Sequence, residues 1–205
     1  MQVEGDAVRA DVDAQHRLSL LVGEALAGAL DLGASRRLID LGGGTGAMSI
    51  ALCRRYSELS AVILELPAIA TLAREHVAES GLEHRITVEE GDFVVGPLPS
   101  GGDVVLLANV LSMLSVTVTR SVLSRVFDAL PPGGTIAISG WMLDDDEHGP
   151  LTATLFSLED IVHGAPDVER SAATYLEWLA EAGFEPVDRV RYFDPAAVVI
   201  GRKPG

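Results

Sequence analysis

The sequence predicts an α/β fold in which seven strands form a mostly parallel sheet, with helices on both faces and an antiparallel hairpin at the C-terminal end. Short apolar runs alternate along the chain with segments of helical periodicity. Strands that are apolar throughout are typical of a parallel sheet covered on both faces. The last two predicted strands are joined only at Asp194-Pro195, and so short a connection requires an antiparallel pair.

The elements follow one another in a regular order. Residues 8–31 carry apolar side chains at helical spacing and stop before Gly33. The predicted strands that follow are residues 37–41, 60–66, 85–90, 103–108, 134–140, 184–193 and 196–202. The predicted helices that follow are residues 47–56, 67–80, 116–130, 151–163 and 172–182. This order indicates a Rossmann-like domain over residues 35–205, preceded by an N-terminal helical segment over residues 1–34.

Composition and charge exclude several classes of function. Thirty acidic residues against fifteen basic ones give a net charge of −15, which repels nucleic-acid phosphates and anionic membranes. The longest apolar stretch, residues 104–118, is too short to span a bilayer, and no signal peptide precedes the first helix. We therefore expect a cytoplasmic protein whose partner is a small molecule or another protein.

Two polar features are expected to be structural. The single cysteine, Cys53, lies at an apolar helix position, where a cysteine usually belongs to the core. The acidic run at residues 144–147 is interpreted as solvated surface, with metal binding as the alternative. We predict no metal site.

The most informative motif is the run Leu-Ile-Asp-Leu-Gly-Gly-Gly-Thr-Gly at residues 38–46. A buried strand containing Asp40 is followed by a turn that a ligand can approach closely, because glycine has no side chain. The helix after the turn directs its free N–H groups toward whatever lies there. The motif therefore predicts a nucleotide-type pocket. Its candidate binding residues are Gly42, Gly43, Gly44 and Gly46.

Acidic and aromatic residues at the ends of neighbouring strands indicate an adenosine ligand. Glu65 ends the second predicted strand, about twenty residues beyond the glycine run, where a carboxylate can accept hydrogen bonds from both hydroxyls of a ribose. Asp92 follows the third strand and can accept from an exocyclic amine, while Phe93 can cover an adenine ring. The glycines also satisfy a relaxed dinucleotide fingerprint, which alone is weak evidence.

The ordered series of motifs closely resembles the class I S-adenosylmethionine-dependent small-molecule O-methyltransferases of plant and actinobacterial secondary metabolism. The series continues after the glycine run with Leu-Glu-Leu-Pro, Glu-Gly-Asp-Phe, Leu-Pro-Pro-Gly-Gly before a strand, Glu-Arg-Ser and Ala-Gly-Phe. The resemblance extends over about residues 8–202. It implies that residues 35–205 bind S-adenosylmethionine.

The resemblance also assigns roles to the binding residues. Asp40 and the glycines would line the amino-acid and ribose part of the cofactor, and Glu65 would hold the ribose hydroxyls where the family usually has Asp. Asp92 and Phe93 would hold the adenine. Three further candidates are Leu66, Asn109 and Arg17. Arg17 would pair with the cofactor carboxylate, or it is only an exposed helix charge.

The chain departs from the family at the catalytic residues. The family's Leu-His-Asp-Trp run is replaced by Leu-Ser-Met-Leu at residues 111–114, a frequent Lys by Ala108, and an acidic residue by Gly140. Of the family's polar catalytic set, Glu169 remains. The candidate catalytic residues are therefore Glu169, Ser112 and His163, the last of which could substitute for the missing base or lie on the surface.

A second departure concerns the lid of the acceptor pocket. The family usually has a long N-terminal region that forms the dimer and closes this pocket, whereas this sequence starts almost at the helix before the cofactor domain. We expect a partner protein or a homodimer to supply the lid, or else a bulky or carrier-bound substrate that needs none.

Three functions follow from these motifs. The first is methyl transfer to an oxygen of a small secondary metabolite, driven mainly by proximity, since a general base is worth about 10²–10⁴-fold for a weakly acidic hydroxyl. The alternative is a protein that binds the cofactor without methylating, or a cofactor-binding subunit of a heteromer. A nicotinamide oxidoreductase is supported by the glycine run alone.

Overall fold

The computed structural model describes residues 2–146, 148–162 and 170–205. Its helices are α1 (Gln2–Ala29), α2 (Ala47–Arg55), α3 (Pro67–Glu79), α4 (Val116–Ala129), α5 (Leu151–Val162) and α6 (Ala172–Glu181), with a short 3-10 helix at Leu111–Met113. Its strands are β1 (Arg37–Leu41), β2 (Ser60–Glu65), β3 (Ile86–Glu90), β4 (Val104–Ala108), β5 (Thr135–Trp141), β6 (Glu185–Phe193) and β7 (Ala196–Arg202).

The strands form one seven-stranded sheet in the order β3-β2-β1-β4-β5-β7-β6. The first five strands of the chain pair in parallel, and β7 lies antiparallel between β5 and β6. The predicted fold is confirmed, including the antiparallel C-terminal hairpin. Most predicted element ends agree to within about one residue, whereas α1 begins earlier than predicted and the 3-10 helix was not foreseen.

The sheet separates two hydrophobic layers because successive strand residues point to opposite faces. In β1, Ile39 packs in the layer formed with α4 and α6, while Leu38 packs in the layer formed with α1, α2 and α3. All the described hydrophobic residues of the central strands β1 and β4 are buried apart from Ala108. A parallel strand covered on both faces leaves no place for alternating polar residues, which explains why the strands were readable from the sequence.

The first helix is part of the second layer. Gly23 of α1 lies so close to α2 that a Cβ there would be 2.9 Å from the Cβ of Ala51. Val22 and Leu26 of α1, and Leu30 just after this helix, belong to the same core layer. Through this packing α1 shares a hydrophobic layer with α2 and the sheet. The proposed boundary between residues 1–34 and 35–205 stays a prediction.

The described residues of the acidic loop after β5 lie at the surface, as expected, and two of them also make ion pairs. Asp144 accepts from Arg191 at 2.7 Å, and Asp145 accepts from Arg189 at 2.7 Å. Both arginines lie on β6, so the loop is tied to the edge of the sheet although its carboxylates remain about half exposed. Cys53 is buried, as predicted. Among the described helices, none combines the length and apolarity that a membrane span requires.

Candidate functional site

The candidate site lies where the order of the sheet reverses. β1 is flanked by β2 on one side and β4 on the other, and in open α/β sheets ligands bind beyond the carboxyl ends of strands at such a switch point. Two adjoining cavities are found there, a larger one of about 800 Å³ and a smaller one of about 230 Å³. Both are lined by Gly42, Gly44, Asn109 and Val110.

The glycine loop, residues 42–46, needs glycine for reasons that differ between positions. Gly42 has a φ of 68°, and a Cβ there would lie 2.8 Å from Val110 Cγ1 and 3.1 Å from Phe93 Cε1. A Cβ on Gly43 would meet the Asp40 carboxyl group at 2.7 Å. Gly44 has a φ of 55° and nothing within 4 Å of its added Cβ. The backbone at Gly44 therefore faces open space, as a ligand-binding turn requires.

Asp40 lies beneath this loop and does not form the cavity wall. Its side chain is fully buried, and Oδ2 accepts a 2.6 Å hydrogen bond from Ser49 Oγ. Within the described chain Oδ1 has no partner. Burial raises the pKa of Asp40 to about 6, against the opposing effect of the Ser49 hydrogen bond. The predicted contact of Asp40 with a cofactor stays a prediction; in the structure Asp40 contacts Ser49 of α2 and lies against Gly43 of the loop.

Glu65 is held at the edge of the larger cavity by the backbone. Its carboxylate accepts hydrogen bonds from the N–H groups of Leu66 and Gly44. Burial raises the pKa of Glu65 above its ordinary value, and these two hydrogen bonds oppose that rise. Glu65 and Leu66 both line the larger cavity, so this carboxylate stands beside the open backbone of the glycine loop.

Asp92 and Phe93 form the next part of the same cavity wall. Asp92 is exposed, and its Oδ1 accepts a 2.8 Å hydrogen bond from the N–H of Val94. The Phe93 ring is half-buried and lies against Gly42. The rest of the wall is mostly apolar, with Ile69, Val110, Met113 and Leu114 among its residues. A flat apolar ring with polar edges fits such a wall.

The smaller cavity adjoins the N-terminus of α2. Gly46 is the N-cap and provides no side-chain hydrogen bond, and no acidic residue lies in the first turn. Thr45, Ala47 and Met48 line this cavity together with Ser19 of α1. Because the first N–H groups of a helix lack intrahelical partners and carry the positive end of its dipole, this end of the site suits an anion such as a carboxylate.

Arg17 lies apart from these two cavities. It is exposed and lines a third cavity of about 270 Å³, together with His16 and His76. His16 is the residue of α1 that reaches the glycine loop, since its Nδ1 lies 2.8 Å from Thr45 Oγ1. The His16 and His76 rings stack at 3.8 Å. Sequence reasoning missed His16, although its place on the buried stripe of α1 was a signal.

The candidate catalytic residues are only partly described. Ser112 lies in the 3-10 helix and is buried. The two residues that follow it, Met113 and Leu114, line the larger cavity. His163 and Glu169 lie outside the described residues. Asn109 adopts a left-handed conformation with φ 55°, and its N–H donates to the Ser139 carbonyl at 2.8 Å. This fixes Asn109 at the junction of the two cavities.

The sheet order, the glycine loop at the switch point and the carboxylate beside it define an α/β nucleotide-binding domain. More specifically, the chain belongs to the O-methyltransferase domain family, whose model matches residues 6–185. The resemblance drawn from the sequence motifs is thereby confirmed. Of the predicted binding residues, those that line the two cavities are Gly42, Gly43, Gly44, Glu65, Leu66, Asp92, Phe93 and Asn109. Gly46 caps α2 beside them without lining either cavity, and Arg17 lies apart.

Individual relatives extend this finding. The chain is 41% identical to 3-hydroxy-5-methyl-1-naphthoate 3-O-methyltransferase of Streptomyces sahachiroi, over 90% of this chain and 54% of that protein. It is 35% identical to L-tyrosine C(3)-methyltransferase of Streptomyces lavendulae, over 90% of this chain and 52% of that protein.

A solved structure matches with similar coverage. Human N-acetylserotonin methyltransferase in complex with S-adenosylmethionine superposes with a TM-score of 0.86 at 28% identity, over 95% of this chain and 55% of that chain. The chain thus spans about half the length of the curated relatives it matches.

Proposed function

We propose that this chain binds S-adenosylmethionine in the two adjoining cavities and transfers its methyl group to an oxygen of a small-molecule acceptor of secondary metabolism. The observation that carries the proposal is the glycine loop with open space at Gly44, flanked by a carboxylate bonded to that same Gly44 N–H. Membership of the O-methyltransferase domain family supports the chemistry, and the S-adenosylmethionine complex of the human relative supports the cofactor.

Each part of the cofactor finds matching groups on this chain. Glu65 would accept from the ribose hydroxyls, because a carboxylate has two acceptor oxygens and stands beside the open loop. Asp92 would accept from the adenine amine, and Phe93 with Leu66 would cover the ring. The N-terminus of α2 would receive the amino-acid carboxylate. Asp40 would support the loop from below, where it contacts Gly43.

The chain's own contribution to the transfer would be positioning. When bound, the cofactor would supply an activated methyl group, which the acceptor oxygen would take by in-line attack on the methyl carbon as the C–S bond breaks and S-adenosylhomocysteine leaves. The larger cavity would hold the acceptor on its apolar side, formed by residues such as Ile69, Met113 and Leu114. Holding two reactants in line can account for much of a rate enhancement. The same walls would exclude water from the reacting atoms.

The position occupied by Ser112 limits the kind of acceptor. A serine hydroxyl is a poor base, and Ser112 is buried. Unless His163 or Glu169 supplies the base, transfer is efficient only to an oxygen that ionises easily, such as a carboxylate or an acidic phenol. A relative that methylates the 3-hydroxyl of a naphthoate supports an aromatic acceptor of this kind. Another relative methylates a carbon of L-tyrosine, so the acceptor atom needs direct measurement.

The same serine favours a second function. A chain that keeps the cofactor cavity but lacks a base in the 3-10 helix could use bound S-adenosylmethionine without transferring its methyl group, alone or as a subunit of a heteromer. A partner protein or a second copy would then complete the larger cavity, at whose wall Leu66 and Met113 are each about half exposed.

Acceptor panels distinguish the two functions. The purified chain should be incubated with S-adenosylmethionine and aromatic acceptors bearing a carboxylate, an acidic phenol or an alcohol, and S-adenosylhomocysteine should be quantified by chromatography. We expect turnover with the first two acceptors and little with the alcohol. Ser112→His should raise the rate on the alcohol by about 10²-fold or more if the base is what is missing. Cofactor binding without turnover on any acceptor would favour the second function.

A further inference from the structure

Arg125 of α4 makes an unusual set of contacts with the loop that follows β3. Its Nη1 donates to the carbonyl oxygens of Phe93 and Val94, each at 2.6 Å. Its Nη2 donates to the carbonyl oxygen of Gly96. The described partners of this guanidinium are thus all backbone carbonyls of one short segment.

Three backbone carbonyl groups of this loop point toward the same side chain, Arg125. The loop's own N–H groups are used internally, since Val94 donates to the Asp92 side chain at 2.8 Å and Gly96 donates to the Asp92 carbonyl at 2.7 Å. The carbonyl oxygens of Phe93, Val94 and Gly96 meet the planar fork of a guanidinium, which carries five donors in fixed directions. A lysine ammonium is a point charge and cannot reproduce that fork.

Arg125 acts on the cavity only through this loop. It is half-buried and is not among the described residues that line the larger cavity, whereas Asp92, Phe93 and Val94 are. Fixing the Phe93 carbonyl fixes the backbone from which the Phe93 ring reaches the Gly42 turn. Fixing Val94 fixes the donor that orients the Asp92 carboxylate.

We propose that Arg125 is a positioning residue for adenine recognition: by clamping the carbonyls of Phe93, Val94 and Gly96 it sets the Asp92 carboxylate and the Phe93 ring at the cavity wall. The inference rests on the proposed function, since it assigns Arg125 to the adenine end of the same cofactor site. It predicts that the contacts of Arg125 control the selectivity of the site for adenine, and not only the stability of the folded protein.

The test compares two ligands on four proteins by calorimetry. The ligands are S-adenosylhomocysteine and S-inosylhomocysteine, in which an oxygen replaces the exocyclic amine. The variants are Arg125→Met, Arg125→Lys and the control Arg120→Met. Arg120 lies on the same helix but pairs with Glu181 of α6. Wild type should prefer the adenosyl ligand by about 10-fold or more, as expected when a hydrogen bond to a charged group is lost.

Arg125→Met should weaken S-adenosylhomocysteine binding about 10-fold and bring the adenosyl-to-inosyl preference close to one. Arg125→Lys should recover part of the affinity for S-adenosylhomocysteine and part of the adenosyl-to-inosyl preference. Arg120→Met should match wild type in both. Thermal unfolding shows which variants are folded, and if Arg125→Met is not, Arg125→Lys alone must show a reduced preference.

The two failures are distinguishable. If wild type binds S-adenosylhomocysteine and the folded Arg125 variants keep its preference for the adenosyl ligand, the positioning role is refuted while the proposed function stands. An equal loss of both ligands, with the preference unchanged, also refutes it. If wild type binds neither ligand, the proposed function fails, and the role of Arg125 fails with it.

Discussion

Replacing Asp40 with asparagine should change how the stability of the protein depends on pH. Burial raises the pKa of Asp40 from 3.8 to about 6 in the folded chain. The unfolded chain therefore loses this proton at lower pH than the folded chain does. The resulting contribution to stability is fully present below pH 3.8 and is lost as the pH rises through about 6. An asparagine side chain does not titrate in this range, so the Asp40→Asn variant lacks this loss.

The size of the effect follows from the two pKa values. Each factor of ten in proton affinity is worth about 1.4 kcal/mol, so the raised pKa of Asp40 costs the folded state about 3 kcal/mol at pH 8 and about 1 kcal/mol at pH 4.5. The free energy of unfolding of Asp40→Asn, minus that of wild type, should accordingly rise by about 2 kcal/mol between these pH values.

Urea unfolding followed by tryptophan fluorescence at several pH values measures this difference, and the titrating groups that do not interact with Asp40 cancel in it. A constant offset from the altered side chain does not matter, because only the slope against pH is read. Ser49→Ala should steepen the pH dependence of the protein that retains Asp40, since it removes the 2.6 Å hydrogen bond that favours the carboxylate. A difference that stays flat from pH 4.5 to 8 would show that folding does not raise the pKa of Asp40.

Two other predictions concern the contacts around the glycine loop. Burial beside His76 lowers the pKa of His16 to about 4, so its contribution to stability is present above pH 6.5 and is lost as the pH falls to about 4. In urea unfolding, the free energy of unfolding of His16→Phe minus that of wild type should rise by up to about 3 kcal/mol as the pH falls over that range. Parallel pH profiles of the two proteins would contradict this prediction. Gly42→Ala should destabilise the protein by about 1–3 kcal/mol and weaken S-adenosylhomocysteine binding, because its Cβ would lie 2.8 Å from Val110. Gly101→Ala is the control, because Gly101 also has a positive φ but an added Cβ there would meet open space. Equal losses of stability and of binding in the two variants, measured by thermal unfolding and calorimetry, would contradict the role of the Val110 contact.

The fold was readable from the sequence because its central strands have only one environment. β1 and β4 are covered on both faces, so eight of their ten residues are apolar, and the helices between them keep the period of a one-sided surface. The short Asp194-Pro195 connection fixed the direction of β7. The 3-10 helix after β4 was missed because three residues do not make a period.

The site was predictable where it depends on the ends of strands. Glu65, Asp92 and Asn109 each lie at or just beyond the end of a parallel strand, and the carboxyl ends of such strands meet at one edge of the sheet. Contacts between distant side chains were not predictable in this way. The His16–Thr45 hydrogen bond depends on the packing angle of α1, and the Arg125 clamp depends on where α4 crosses the loop after β3.

The position of Asp40 is a different case. Its spacing in the glycine motif indicated a residue of the ligand site, but strand alternation directs its side chain into the layer below the loop. There it meets Ser49 of α2 and the underside of Gly43. A sequence motif identifies the position of such a residue, whereas the direction of its side chain depends on the register of the strand.

The proposed site for S-adenosylmethionine consists of the glycine loop and Glu65. Calorimetric titration of the purified chain with S-adenosylmethionine, and separately with NAD, measures its ligand, with Gly44→Val as the matched variant. We expect saturable binding of S-adenosylmethionine, no binding of NAD, and loss of binding when a valine side chain fills the open space at Gly44. Binding of NAD alone, or unchanged affinity in Gly44→Val, would contradict the proposed site.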